Sequence, residues 1–200
     1  MKRAILALVV LALFAVDAWA SVPDPAMCVV SPWDGFTPRS LGRGVPQTGG
    51  STYGNLTVTV RANIGGVPTP IPGAYVEVAW REDCVICVCA SAGITGYTNA
   101  LGVANLNVGA GGCCQGGASV VVKAGDDTVI PPALTVIRAY DYFASPDANS
   151  NCGVTLADFT AFGQNFGGTN YCSDYNGDGS VSLSDFTLFG QTFGKSCTPS

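Results

Sequence analysis

A 21-residue segment occurs twice towards the end of this 200-residue sequence, and it constrains the fold more than any other feature. Residues 147–167 and 174–194 are identical at 12 of 21 positions. Each copy joins an Asp/Asn/Gly-rich stretch to the run Asp-Phe-Thr-x-Phe-Gly-Gln-x-Phe-Gly. Self-similarity of this kind indicates a duplicated structural unit. We therefore expect the two copies to fold alike and to pack together.

The first twelve residues of the second copy, Asp174–Asp185, have the spacing of a calcium-binding loop. Calcium takes about six to eight oxygen ligands, and such loops supply side-chain oxygens at the first, third, fifth and twelfth positions and a carbonyl at the seventh. A water near Ser182 would serve the ninth position. Gly179 stands at the sixth, where a sharp turn favours a residue without Cβ. The predicted ligands are Asp174, Asn176, Asp178, the Ser180 carbonyl and Asp185.

The first copy, Asp147–Asp158, carries a weaker version of the same loop. Asn151 stands at the fifth position and Cys152 at the sixth, with Gly153 one place late. Only two carboxylates remain, so we predict weaker calcium binding here than in the second loop. For both loops the alternative is a plain solvated turn. The predicted ligands are Asp147, Asn149, Asn151, the Gly153 carbonyl and Asp158.

After each loop, the spacing of the phenylalanines predicts a short helix that begins at the twelfth-position aspartate. A carboxylate there also favours the exposed N–H groups at a helix start. The phenylalanines of each copy form one apolar stripe, interpreted as a small shared core rather than a ligand site. Helices this short, with Gly163 and Gly190 inside them, would be marginal without packing and calcium. The stripe residues are Phe159, Phe162, Phe166, Phe186, Phe189 and Phe193.

The duplicated loop–helix pattern resembles the type I dockerin family over about residues 140–198. The resemblance implies paired EF-hand-like loops that bind two calcium ions and a module that docks onto cohesin domains. At the positions where cellulosomal dockerins carry Ser-Thr and Lys-Arg, this chain has other residues, so the partner stays open between a cohesin-like protein and another copy of this chain. The substituted pairs are Leu156-Ala157, Leu183-Ser184, Gly163-Gln164 and Gly190-Gln191.

Upstream, short runs of alternating apolar and polar residues predict strands with one buried face. Turn sequences such as Pro70-Ile71-Pro72-Gly73 separate the runs. The predicted fold class is a mainly β sandwich over residues 51–139, followed by a small α module over residues 140–200. Residues 70–78 and 96–104 resemble transthyretin-like (prealbumin-like), immunoglobulin-like modules of exported bacterial proteins, which implies a spacer or adhesive surface. The predicted strands contain Leu56–Val60, Val76–Trp80, Ala104–Val108, Ser119–Val122 and Leu134–Ile137.

The first twenty residues have the pattern of a signal peptide. Lys2 and Arg3 precede an apolar run that closes at Ala18-Trp19-Ala20, which predicts cleavage after Ala20 and a secreted or cell-surface protein. The apolar run is too short to span a bilayer, and no second run reaches that length. Residues 21–50, rich in Pro, Gly and Ser, are predicted to form an irregular arm.

The nine cysteines all follow the predicted signal peptide, so export makes disulfides the expected state. Six precede residue 120 and three follow it. We expect three bridges within the first set, and one bridge and a leftover thiol in the second. The alternative for Cys84, Cys87, Cys89, Cys113 and Cys114 is a thiolate metal site.

The amino-acid composition argues against several classes of function. The chain has no histidine, which excludes Ser-His and Cys-His nucleophile systems, and no pair of carboxylates is singled out for glycosidase chemistry. Without Lys2, Arg3 and Asp17, 7 basic and 13 acidic residues remain, a formal charge of −6 that makes nucleic acid a poor partner.

The resulting prediction is a non-catalytic, secreted calcium-binding protein. Its β-sandwich would serve as a display or spacer domain and its dockerin-like module would serve protein assembly. Two alternatives stay open. One is a subunit of a calcium-stabilised extracellular filament or surface layer, and the other is an accessory component of a cellulosome-like complex that degrades polysaccharides.

Overall fold

The structure is a computed structural model that describes residues 22–31, 40–42, 55–90 and 92–200. Within these residues the chain is mainly β, as predicted, with short helices only in the duplicated segment. The predicted signal peptide and most of the predicted arm lie outside the described residues. Neither described helix is long and apolar enough to cross a membrane.

One sheet has three strands in the order β1-β3-β9, where β1 is Val29–Ser31, β3 is Asn55–Thr59 and β9 is Val103–Asn107. All pairings are antiparallel, with Val30 opposite Val58 and Val58 opposite Ala104. Burial alternates along each strand, so one face is apolar. β1 lies in the segment predicted to be an irregular arm. A three-residue strand between Pro- and Gly-rich stretches is too short to show a period in sequence.

The larger sheet has the order β2-β11-β10-β6-β8, and β7 pairs with the first residues of β10. Only β2, which runs parallel to β11, departs from the antiparallel pattern among these pairings. A separate hairpin joins β4 to β5 through Gly65 and Gly66. The strand bounds are β2 Ser40–Gly42, β4 Arg61–Ile64, β5 Val67–Pro70, β6 Tyr75–Trp80, β7 Ile86–Val88, β8 Thr95–Tyr97, β10 Ala110–Asp126 and β11 Ala133–Ala144.

Two of these strands are longer than the sequence pattern indicated. The glycine-rich stretch Gly111–Gly117, which lies outside the predicted strands, is part of β10, with an irregular register between Gln115 and Val120. β11 continues past residue 139 to Ala144, which already packs in the core of the duplicated segment. We call the strands and their connections up to Ala144 the β region, and residues 145–200 the loop–helix region.

Both sheets contribute to one hydrophobic core. Val30, Leu56 and Val58 come from the three-stranded sheet, and Val76 and Val122 come from the larger one. These side chains are at most 1% exposed. The sheets therefore hold each other through a shared apolar interior, as expected for strands with one buried face.

The loop–helix region has its own core between α1 (Leu156–Asn165) and α2 (Leu183–Gly190). The predicted shared core is present, but it takes only one phenylalanine from each helix, Phe162 and Phe189. The other four are 40–50% exposed. The remaining buried members are Ala144, Val154, Tyr175 and Val181.

The disulfides correct the pairing expected from sequence. All nine cysteines lie in described residues, and three of their four bridges join the β region to the loop–helix region. The leftover thiol is Cys28, 1% exposed in the core of the β region, rather than a C-terminal cysteine. Burial raises the pKa of this thiol, so it stays protonated and inert. The pairs are Cys84–Cys114, Cys87–Cys152, Cys89–Cys197 and Cys113–Cys172.

Candidate metal centres in the duplicated loops

In the second loop, backbone N–H groups wrap around the carboxylate of the first position. Asp174, 2% exposed, accepts hydrogen bonds from Gly177 (2.8 Å) and Asp178 (3.1 Å) on Oδ1 and from Gly179 (2.7 Å) on Oδ2. Gly177 and Gly179 have φ values of +71° and +89°. These left-handed conformations curl the chain so that consecutive N–H groups point inwards.

The third, fifth and seventh positions of this loop form a chain of short turns. Asp178 N–H donates to Asn176 Oδ1 at 2.9 Å, and Ser180 N–H donates to Asp178 Oδ1 at 2.9 Å. Ser180 Oγ also donates to Asp178, and these hydrogen bonds hold the pKa of that exposed carboxyl below its usual value. The predicted ligand side chains thus line one side of a tight loop.

Asp185 at the twelfth position closes the loop and is the third residue of α2. The helix begins at Leu183, two residues earlier than predicted, as α1 does at Leu156. Asp185 Oδ1 accepts from the N–H of Tyr175 (2.8 Å) and Asn176 (3.1 Å), and its Oδ2 accepts from the N–H of Ser182 (2.9 Å). The bond to Ser182 belongs to a capping box at the helix start. Carboxylate oxygens of Asp174, Asp178 and Asp185 all lie within 4.8 Å of one another.

The first loop repeats this scheme with different residues. Asp147, fully buried, accepts from Asn151 N–H (3.1 Å) on Oδ1 and from Cys152 N–H (2.8 Å) on Oδ2. Asn151 N–H also donates to Asn149 Oδ1, and Gly153 N–H donates to Asn151 Oδ1, both at 3.0 Å. Position by position, these are the bonds of the second loop.

The twelfth position of the first loop is also equivalent. Asp158, 1% exposed, accepts from Asn149 N–H (3.3 Å) and from Thr155 N–H (2.8 Å), and the latter bond caps α1. All ten predicted ligand residues therefore occupy corresponding places in two similar loops.

Cys152 takes the place of the expected glycine. Its φ is +67° and that of Ser150 is +59°, which match Gly179 and Gly177. The sequence pattern treated Cys152 as a departure from the calcium loop, yet its backbone adopts the loop conformation. Aligning the two copies, which sets Cys152 opposite Gly179, is the observation that could have predicted this.

Buried carboxylates dominate the electrostatics of both loops. Burial raises the pKa of Asp147 and of Asp174, although backbone N–H groups act in the opposite direction. Nearby carboxylates, Asp158 for Asp147 and Asp185 for Asp174, raise these pKa values further. Hard oxygen donors gathered in this way fit the ligand preference of calcium. The second loop offers three carboxylates and the first offers two.

The two units are joined symmetrically through their eighth positions. Val154 N–H donates to Lys195 O (2.8 Å), beyond α2, and Val181 N–H donates to Gly168 O (2.8 Å), beyond α1. Each loop is therefore fastened to the segment that follows the other helix.

The alternative thiolate metal site is wrong. Cys84, Cys87, Cys89, Cys113 and Cys114 are all bonded to other cysteines. Sulfur atoms of Cys87, Cys152 and Cys197 do lie within 4.8 Å of one another, but each belongs to a disulfide.

Four of the carboxylates outside the loops have structural partners. Glu77 pairs with Lys123 at 2.9 Å, and Asp83 pairs with Arg81. Asp126 accepts from Thr128 N–H and Oγ1, and Asp127 accepts from Tyr97 Oη at 2.5 Å. Asp126 and Asp127 line a surface pocket of about 480 Å³ with Tyr97. They stabilise turns and strand pairs at its rim.

No protein-family model, curated protein or solved structure matches this chain. The dockerin resemblance therefore depends on the loop residues and their geometry.

Proposed function

We propose that this is a secreted, non-catalytic protein that binds two calcium ions and uses the ordered loop–helix region as a dockerin-like docking module. The observation that supports it most is the repeated loop geometry, in which buried carboxylates at the first and twelfth positions face turn-forming amide and carboxylate side chains. Four disulfides are consistent with an oxidising compartment, as a secreted protein requires. On this proposal the β region is an immunoglobulin-like sandwich that displays the module.

Calcium, when bound, would neutralise the negative charge of the buried carboxylates in each loop. Asp174 and Asp185 would hold the ion in the second loop together with Asp178, Asn176 and the Ser180 carbonyl. Asp147 and Asp158, with Asn149, Asn151 and the Gly153 carbonyl, would hold it in the first. The twelfth-position carboxylates also cap α1 and α2, so ion binding and helix order are linked through Asp158 and Asp185.

Calorimetric titration with calcium tests the binding step. We expect two sites, with the second loop tighter because it has one more carboxylate. Asp174→Asn should remove the tighter site and Asp147→Asn the weaker one, each leaving the other measurable. Absence of binding to the unaltered protein, or two equal tight sites, would contradict these expectations.

The docking surface proposed for the module is an exposed apolar strip across the two helices. Phe159 and Phe186 contact each other at 6.3 Å between ring centroids while remaining 40% and 43% exposed. Leu156 and Leu183, at the tenth loop positions, are 68% and 70% exposed. Contiguous exposed apolar residues of this kind mark interaction sites.

A pull-down from the extracellular fraction, with calcium and with chelator, tests the docking step. We expect calcium-dependent capture of a protein by the unaltered chain and loss of capture by Phe159→Ser/Phe186→Ser. Val85→Ser, which alters a 75% exposed apolar residue in the β region, is the control and should retain capture. Capture that ignores calcium, or that survives the double change, would contradict the proposal.

A further inference from the structure

The first loop is built directly onto the β region. Gly112 N–H, in β10, donates to the carbonyl oxygen of Asp147 at 2.6 Å. Ser150 Oγ, at the fourth loop position, donates to Val85 O at 2.5 Å. In the second loop, Asp174 N–H donates to Asn170 O (3.1 Å) and Val181 N–H donates to Gly168 O (2.8 Å), both within the loop–helix region.

Gly111 leaves the space that the Asp147 carboxylate occupies. A Cβ added to Gly111 would lie 2.6 Å from Asp147 Cγ and would overlap Oδ2. Side-chain contacts at such distances do not occur without displacement. β10 thus packs directly against the first loop. The Asp147 carboxylate fits against this strand because residue 111 has no side chain.

A disulfide fixes one of the residues that donate a hydrogen bond to the same carboxylate. Cys152 donates its backbone N–H to Asp147 Oδ2, and its side chain is bonded to Cys87 in β7. Cys152 is not a glycine, so the left-handed conformation it needs for this hydrogen bond is disfavoured for its backbone. The disulfide holds the residue against β7, and β7 in turn pairs with Gly111 and Gly112.

We propose that the Cys87–Cys152 disulfide is a positioning element of the first calcium site, so that calcium affinity there depends on the oxidation state of this bond. This inference rests on the proposed calcium-binding function. Reduction by a dithiol breaks the S–S bond, places a thiol on each cysteine and converts the dithiol to its disulfide. Cys152 is then free to leave the left-handed conformation, and Asp147 loses a fixed hydrogen-bond donor.

Cys87 and Cys152 are 8% and 4% exposed, and they line a surface pocket of about 330 Å³ together with Val88, Asn151 and Pro199. Because binding linkage is reciprocal, calcium in the first loop should also protect this disulfide from reduction.

Calorimetry on paired variants tests the inference. In Cys87→Ser/Cys152→Ser we expect calcium affinity at the first site to fall roughly 5- to 150-fold, the usual range for coupled sites, with the second site unchanged. Cys113→Ser/Cys172→Ser removes another bridge between the two regions, one outside the sulfur cluster of Cys87, Cys152 and Cys197, and should leave the first site unchanged. An equal fall in both variants, an unchanged first site, or loss of both sites together would overturn the proposal.

A second measurement uses the unaltered protein. After equilibration in a buffer of reduced and oxidised dithiothreitol, followed by alkylation, mass spectrometry reports the fraction of each bridge that is open. We expect calcium to lower the open fraction of Cys87–Cys152 and to leave that of Cys84–Cys114, within the β region, unchanged. Calcium-independent opening in a protein that binds two ions overturns this inference alone, whereas absence of calcium binding overturns the proposed function.

A matched pair of glycine substitutions in β10 tests whether the contact between Gly111 and Asp147 positions the first site. Gly111→Ala should weaken the first site, because the new methyl group displaces Asp147. Gly117→Ala adds the same group to the same strand where nothing lies within 4 Å, and should leave both sites intact. Equal effects of the two changes on the first site would contradict the positioning role of Gly111.

Discussion

At the scale of single residues, backbone conformation explains which glycines of the duplicated segment matter. Gly163 lies inside α1 with open space around it. Gly167, just after α1, has equally open space but a φ of +81°. The repeated sequence presents both as conserved between the copies, although only Gly167 needs the conformational freedom of glycine.

Gly163→Ala should therefore stabilise the calcium-loaded protein by about 0.5–1 kcal/mol, because alanine restricts the unfolded chain and favours helix. Gly167→Ala should destabilise it by about 1–2 kcal/mol through its left-handed backbone. Urea denaturation of the two variants measures both effects. The prediction fails if the two substitutions shift stability in the same direction.

The equivalence of the two loops could be predicted from sequence, because the repeat places similar residue types at the same spacing. The disulfide partner of Cys152 could not be predicted, since nothing in the loop pattern points to Cys87, 65 residues away in sequence.

At the scale of elements, the two helices are held by one buried phenylalanine each. Phe162 and Phe189 stack at 5.6 Å between ring centroids, and Tyr175 stacks on Phe162 at 5.9 Å. Periodicity predicted the stripe, but it could not predict how much of the stripe would be covered. Coverage depends on what packs opposite, and here only the middle phenylalanine of each stripe is buried.

Phe162→Ala should lower the free energy of unfolding by about 3–5 kcal/mol, because it leaves a cavity in a small core. Phe159→Ala removes the same side chain from a 40% exposed position and should cost clearly less. Thermal unfolding with saturating calcium checks the difference. Equal losses would mean that the exposed ring carries as much packing as the buried one.

At the scale of the whole molecule, three disulfides link the β region covalently to the loop–helix region. Strand alternation could be predicted and is found, and the mainly β fold with it. The pairing could not be predicted, because Cys113 and Cys114 are neighbours in β10 whose side chains point to opposite faces. Cys114 therefore bonds within the β region and Cys113 bonds to Cys172.

Removal of calcium should loosen residues 147–194 and leave the strands of the β-region core protected. The expected mechanism is mutual repulsion of buried carboxylates, most of all in the second loop. Hydrogen exchange with and without chelator measures it, and amides of β3, β6 and β9 serve as the internal control. Unchanged protection in residues 147–194 would show that these loops are ordered without the ion.

The bridge between Cys89 and Cys197 spans 108 residues, and on the proposal that the chain is exported from its first residue onwards, that separation sets an order of events. Cys84, Cys87 and Cys89 would reach the oxidising side before any of their three partners, Cys114, Cys152 and Cys197. Until Cys172 followed, Cys113 as well as Cys114 would be able to pair with Cys84. Correct pairing would then be completed late, once the duplicated segment had been translocated.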